Sequence, residues 1–360
     1  MAQEHPEASD APERGPMDQF SAHLDRGWDL VHRGDLSGAL VSAEKGLDLD
    51  PQSPEAHNLV GYVRAAQGDV DEALEHYRHA IALDDTFVEA MLNAAEVLIH
   101  PLHDFEAAQE LVEEALELAE DDDEVADALL ISFDAHMHRG DQDAAGQVAG
   151  RMPRGPFQNP HLDYMVGRAL FEVGELPGAD TLLSRAVERE ADNADAHYFL
   201  ALTLDARDDR RAATQAYLRT RALDLAAPEA ASALPQDHFQ HRANQALERL
   251  QPALLAPLKH ALLVISDAPG VELVADGVDP RAGLVLDAVS EADAEPAVGR
   301  LFLYKRNIER ASEGVWHLEH EIRQLLEAEI LALFPQLAPG KASTPPSPTT
   351  ATDSTPAAKP

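Results

Sequence analysis

The chain has 360 residues, of which 45% are hydrophobic and 26% charged, with a formal net charge of -37 and no cysteine. It can therefore bury a sizeable core, but it offers no disulfide, no thiolate metal ligand and no cysteine nucleophile. Binding the phosphates of nucleic acid or of an anionic membrane requires a basic patch, which a chain of this negative charge does not favour. We therefore expect a protein or peptide partner of basic or neutral character.

Residues 1–19 are predicted to form a disordered leader. Most of this segment is acidic and proline-rich, and it lacks the basic start and apolar core of a signal peptide. No later run approaches the ~18 apolar residues that a membrane-spanning helix requires. From these features we expect a cytoplasmic protein.

Residues 20–230 are predicted to form six helix pairs, because the sequence repeats with a period close to 34. Apolar residues after each turn are mostly three or four positions apart, which is the spacing of one helix face. The turn inside each pair recurs at Gly34, Gly68, His103–Asp104, Gly140–Asp141, Gly174 and Asp208–Asp209. A small residue follows five positions later, at Ala39, Ala73, Ala108, Ala145, Ala179 and Ala213.

Two units carry the pattern most fully. The second contains Val60-Gly61, Gly68-Asp69, Ala73, Tyr77 and Ala80, and the fifth contains Val166-Gly167, Gly174, Ala179, Leu183 and Ala186. In these residues the array resembles the tetratricopeptide repeat family. The resemblance implies a mainly α protein whose stacked helix pairs form a TPR-type α-solenoid with a concave, partner-binding surface.

The fourth unit departs from this pattern. Gly150, Pro153, Gly155 and Pro156 follow its second helix closely. Proline and glycine both end helices, so a short helix followed by a loop is predicted here.

The resemblance also implies which side chains contact a partner, because the first helix of each pair lines the concave surface in this family. Aromatic rings flanked by acidic groups suit an extended or helical peptide that carries basic residues. Alternatively, some rings pack between helices, and the acidic charge serves solubility alone. Carried over by position, the predicted surface consists of Trp28, Asn58, Tyr62, Glu96, Asp134, His138, Tyr164, Arg168 and Tyr198.

The repeat pattern stops near residue 230, and residues 235–337 are predicted to form a small α+β domain. Its predicted elements are a helix over 238–250, strands over 261–265, 284–286 and 301–304, and a helix over 315–334. Residues 338–360 are rich in alanine, proline, serine and threonine, and they are predicted to be a disordered tail.

The segment from Leu303 to Arg310, with Glu321-Ile322-Arg323, resembles small zincin-like metallopeptidase domains of bacteria. The last helix of that family carries H-E-x-x-H-H-F-G, in which two histidines bind zinc and the glutamate activates water. Here both histidines are replaced, by Ala328 and Ala332, and Glu329 is a relic. The resemblance therefore implies a catalytically inactive domain without metal or cofactor, and we predict an interaction scaffold rather than an enzyme.

Two alternatives remain open. His317, His320, Glu321 and Gln324 share one helix face and could bind a metal, which would make the chain a zinc metallopeptidase whose repeats present substrate. A solvated polar face is the simpler interpretation, since glutamine is a poor zinc ligand. In the other alternative, the inactive domain only caps the last repeat.

Overall fold

A computed structural model describes residues 16–289, 297–312 and 314–338, and it divides into two compact units between residues 213 and 214. Residues 1–15 of the predicted leader and 339–360 of the predicted tail lie outside the described residues. Among the residues that are described, no helix combines the length and the apolar character needed to cross a membrane.

Residues 16–226 form twelve successive helices. The first begins earlier than the predicted start at residue 20, because proline is well accommodated in the first turn of a helix, where its missing N–H has no partner to lose. The helices are α1 (Pro16–His32), α2 (Leu36–Leu49), α3 (Pro54–Gln67), α4 (Val70–Leu83), α5 (Val88–Ile99), α6 (Phe105–Leu118), α7 (Asp122–His138), α8 (Gln142–Arg151), α9 (Pro160–Glu172), α10 (Leu176–Arg189), α11 (Ala194–Ala206) and α12 (Arg210–Ala226).

The turns inside the pairs share one backbone conformation. In all six, the turn residue has a positive φ between 56° and 87°, which glycine adopts without steric cost. His103 and Asp208 adopt it in the two units that lack the glycine. The period of the sequence, which is close to 34 residues, is therefore also a period of the backbone conformation.

Small residues allow the two helices of a pair to pack closely. The six alanines predicted by the period are at most 2% exposed. At Gly61 a β-carbon would lie only 2.7 Å from the ring of Tyr77, so α3 can approach α4 only without a side chain there. Gly167 packs against Leu183 in the same way in the fifth pair.

In the fourth unit, α8 is short and ends at Arg151, as the glycines and prolines predicted. The connection to α9 is held by the fully buried carboxylate of Asp163. Arg185 and Arg189 from α10 donate to this carboxylate and also to backbone carbonyls of the connection.

The second unit contains a three-stranded sheet in the order β1-β3-β2, with β1 and β3 parallel and β2 and β3 antiparallel. The last long helix begins three residues after its predicted start because Gly314, with φ 107°, forms a turn before it. The elements are α13 (Gln236–Glu248), α14 (Pro252–Leu255), a 3₁₀ turn (Ala256–Leu258), β1 (Leu262–Ser266), α15 (Val271–Ala275), β2 (Leu284–Val289), β3 (Ala297–Tyr304), α16 (Lys305–Ala311), α17 (Leu318–Leu333) and a 3₁₀ turn (Pro335–Leu337).

The division between the units falls within α12, before the predicted boundary at 230–235. The C-terminal part of α12 belongs to the second unit because Asp224 pairs there with Arg281 and Arg310. Burial opposes ionisation of this carboxyl, but the two guanidinium groups outweigh it and lower the pKa of Asp224. In the core of this unit, one face of α17 packs against α13 and the sheet through Leu318, Ile322, Leu326 and Ile330.

Candidate functional site

The first helices of three consecutive pairs, α5, α7 and α9, enclose a groove of about 600 Å³. Helix α7 contacts both α5 and α9, so side chains from all three line one surface. Apolar residues in the lining include Leu92, Leu130, Ile131, Leu162 and Met165. We name this surface the acidic groove for the carboxylates that line it, which are Glu89, Glu96, Glu124, Asp127, Asp134 and Glu172.

Helical spacing explains why four of these carboxylates face the groove. Glu89 and Glu96 lie seven residues apart on α5, and Asp127 and Asp134 lie seven apart on α7. Seven residues are two helical turns, so each pair projects from one face. The period of the repeats then brings the two faces together.

The acidic groove has little internal compensation for its negative charge. Arg168 is the one arginine in the lining, and its Nε donates to Glu172 at 2.7 Å. Asp127 reaches solvent, yet burial of its carboxyl group raises its pKa to about 6. Asp123, Asp121 and Glu124 repel the same negative charge and raise the pKa further. A cation entering the groove would relieve this repulsion.

Three of the nine predicted partner-binding residues, Glu96, Asp134 and Arg168, line the acidic groove. His138 lies next to Asp134 at the end of α7. The remaining exposed or half-buried residues lie elsewhere. Trp28 and Tyr62 form an edge-to-face pair with ring centroids 5.2 Å apart, and Tyr198 packs in the same manner on Phe199.

The structure places two of the predicted surface residues in the interior. Asn58 is only 1% exposed, because its amide donates to Glu89 and its oxygen accepts from Asn93. Tyr164 is 7% exposed, and its ring packs between His161 and Phe199. Both positions support the contact between neighbouring repeats and cannot form the exposed surface that was predicted.

Sequence reasoning missed four of the six carboxylates that line the acidic groove. It did not identify Glu89, Glu124, Asp127 or Glu172, although the first and third lie two turns before predicted residues. It also missed His100, whose Nε2 lies 2.7 Å from Oδ2 of Asp134. A search for acidic residues seven positions apart on successive first helices would have found part of this set.

In the second unit, Ala328, Glu329 and Ala332 are exposed on α17, while the intervening Ile330 is buried. His317 precedes the helix, and the Nδ1 of His320 lies 3.0 Å from a guanidinium nitrogen of Arg323. Neither histidine belongs to a group with metal-ligand spacing in the part of the chain that the structure describes.

Comparison with known proteins identifies the repeats. Two tetratricopeptide repeat family models match, one over residues 24–86 and the other over residues 64–130. Residues 24–130 are tetratricopeptide repeats. No match was found among curated proteins.

Several solved structures resemble the chain at low identity. PilF of Pseudomonas aeruginosa is 20% identical with a TM-score of 0.47, and the match covers 58% of this chain and 94% of that one. PilW, described as a type IV pilus biogenesis factor, is 18% identical with a TM-score of 0.45, covering 56% and 92%. A thermophilic TPR protein of Thermus thermophilus, TTC0263, is 18% identical with a TM-score of 0.42, covering 51% and 98%. Because these TM-scores are below 0.5, the assignment of the repeats comes from the family models.

Proposed function

We propose that the chain is a protein-interaction scaffold that binds a basic peptide segment of a partner protein in the acidic groove. The tetratricopeptide repeats support the scaffold role. The observation that carries the finer proposal is the lining itself, in which six carboxylates face one arginine that is already paired. Charge complementarity of this kind steers association and selects between partners.

The apolar lining supports a peptide rather than a small cation as the ligand. Leu92, Ile131 and Met165 offer contact to aliphatic side chains beside the carboxylates. A volume of about 600 Å³ holds only a few side chains. The proposed ligand is therefore a short segment in which lysine or arginine alternates with apolar residues.

The test is fluorescence anisotropy with two labelled peptides that have the same apolar residues and carry either lysine or glutamate between them. We expect the lysine peptide to bind and its affinity to fall as salt is added, because exposed charges are screened. Equal binding of both peptides, or binding of the glutamate peptide alone, would overturn the proposal. The measurement is made with chelator present, so that metal ions do not contribute.

We also propose that residues 235–337 are a catalytically inactive relative of zincin-like metallopeptidases. Support comes from Ala328 and Ala332, which stand where the family places its zinc ligands and offer no metal-binding atom. The full chain should therefore cleave no more casein with added zinc than the Glu329→Gln variant does. Zinc-dependent cleavage that this substitution abolishes would contradict the proposal. Cleavage lost when His317 and His320 are replaced would favour the alternative set of ligands.

A further inference from the structure

We propose that His100, Asp134 and His138 form a binding site for one divalent transition-metal ion. One ligand atom from each side chain lies within 4.8 Å of the other two. Nε2 of His100 is 2.7 Å from one Asp134 oxygen, and Nδ1 of His138 is 3.7 Å from the other. Adjacent ligands of a tetrahedral zinc ion lie about 3.4 Å apart, as bond lengths near 2.1 Å require. Nδ1 of His138 also lies 3.1 Å from the backbone carbonyl oxygen of Asp134, and small side-chain rotations that release this contact would bring the three atoms onto one ion.

The fold holds the three ligands on two neighbouring helices. Asp134 and His138 are one turn apart on α7, and His100 follows the last residue of α5. Helices α5 and α7 are in contact, and the two imidazole rings have their centroids 4.2 Å apart. A bound ion would thus join the first helices of two consecutive repeats.

The ligand types indicate which metals fit. Two imidazoles and one carboxylate suit zinc, copper or nickel, whereas calcium and magnesium prefer oxygen ligands alone. Among the described residues, no arginine or lysine forms a salt bridge with Asp134, and the basic side chains beside its carboxylate are these two imidazoles, so no permanent cation there competes with a metal. The side chains of His100, Asp134 and His138 are 38%, 52% and 44% exposed, which leaves a coordination position open to water.

A second histidine cluster in the same unit provides a matched control. His57 and His76 place their Nδ1 atoms 3.0 Å apart, and the ring of His79 stacks on His57. Burial lowers the pKa values of His57 and His76, and the neighbouring imidazoles add to the effect. This cluster lacks a third ligand atom at the spacing of the proposed site, within the part of the chain that is described.

One consequence depends on the proposed function. His100 and Asp134 line the acidic groove, so a bound cation would add positive charge to it and weaken the binding of a basic peptide. The metal site itself does not depend on peptide binding and is tested without any peptide.

The experiment uses the untagged full chain, stripped with chelator and then dialysed against zinc. Metal content is measured by elemental analysis, and the thermal unfolding midpoint is measured with and without zinc. Cobalt is the second probe, because a tetrahedral cobalt site absorbs visible light. We expect about one zinc per chain, a midpoint raised by zinc, and a visible cobalt spectrum.

The variants decide which residues bind the metal. His100→Ala, His138→Ala and Asp134→Asn should each lose the zinc, the shift in the midpoint and the cobalt spectrum. His76→Ala and the double variant His317→Ala/His320→Ala should keep all three. Zinc absent from the unaltered protein, or retained by His100→Ala and His138→Ala, would overturn the proposal. The proposal would also be overturned if His100→Ala lowered the thermal unfolding midpoint by the same amount with and without zinc. An equal loss would show that His100 contributes only its hydrogen bond.

Discussion

Arg189 donates from Nη1 to Oδ2 of Asp163 at 2.7 Å, and the Asp163 side chain is fully buried. The other carboxylate oxygen accepts from Nε of Arg185 at 2.8 Å. The same two arginines donate to the carbonyl oxygens of Arg154, Phe157 and Gln158. One buried carboxylate thus orients both side chains that hold the irregular connection between α8 and α9.

Replacing Asp163 by alanine is therefore expected to destabilise the protein by about 3 kcal/mol, because two arginines lose their common acceptor. Urea unfolding at pH 7 measures the change. Asp29→Ala is the control, since its ion pair with Arg33 is exposed and should contribute less than about 1 kcal/mol. Equal losses in the two variants would show that burial of Asp163 does not matter.

Replacing glycine by alanine should change the stability of the protein in opposite directions at two positions. Gly61→Ala is expected to cost about 1–3 kcal/mol, since the new β-carbon would meet the ring of Tyr77 at 2.7 Å. Gly146→Ala on α8 meets no atom within 4 Å and should stabilise by about 0.5–1 kcal/mol through helix propensity. The thermal unfolding midpoints of both variants, compared with that of the unaltered protein, measure the two changes. A stabilising Gly61→Ala would contradict the close packing of α3 on α4.

Asn58 is expected to act through stability rather than through direct partner contact. Asn58→Ala would remove two partly buried hydrogen bonds, to Glu89 and from Asn93, and should cost about 1–3 kcal/mol. Urea unfolding measures this cost, with Asn244→Ala on an exposed face of α13 as the control. If stability stays unchanged while peptide affinity falls, Asn58 contacts the peptide after all.

Asp127 should make the stability of the protein depend on pH. Its pKa of about 6 in the folded protein lies above the unfolded value of 3.8. The contribution of Asp127 to the stability of the folded protein is therefore fully present below pH 3.8 and is lost as the pH rises through 6. Asp127→Asn removes the disfavoured charge, so the variant should be more stable than the unaltered protein at pH 7 but not at pH 4.

Urea unfolding midpoints at both pH values measure this difference. Asp25→Asn, on an exposed face of α1, is the control for the loss of one exposed carboxylate elsewhere on the chain. A gain from Asp127→Asn of the same size at pH 7 and pH 4 would exclude ionisation as its cause.

The repeat architecture could be predicted from the sequence because backbone and sequence share one period. The glycine of a positive-φ turn and the buried alanine five residues later can both be recognised without a structure, as at Gly68 and Ala73. Family models over residues 24–130 confirm tetratricopeptide repeats there. The zincin-like resemblance of residues 235–337, the inactive site around Glu329 and the cytoplasmic location stay predictions.

The site was harder to predict because a position in a repeat does not fix burial. Asn58 and Tyr62 are one turn apart on α3, yet the first is 1% and the second 38% exposed. Contacts between helices also lie beyond any local pattern. His100 and Asp134 are 34 residues apart, and only the stacking of α5 on α7 brings their side chains together.

The most direct test of the acidic groove compares two variants that have the same net charge. Glu96→Gln/Asp127→Asn neutralises two carboxylates inside the groove, and Glu114→Gln/Glu117→Gln neutralises two exposed carboxylates on α6 outside it. Affinity for the lysine peptide is measured at pH 7 and one salt concentration. We predict a loss of about tenfold, equivalent to ~1.4 kcal/mol, for the groove variant alone. Equal losses in the two variants would mean that overall charge, rather than the groove, attracts the peptide.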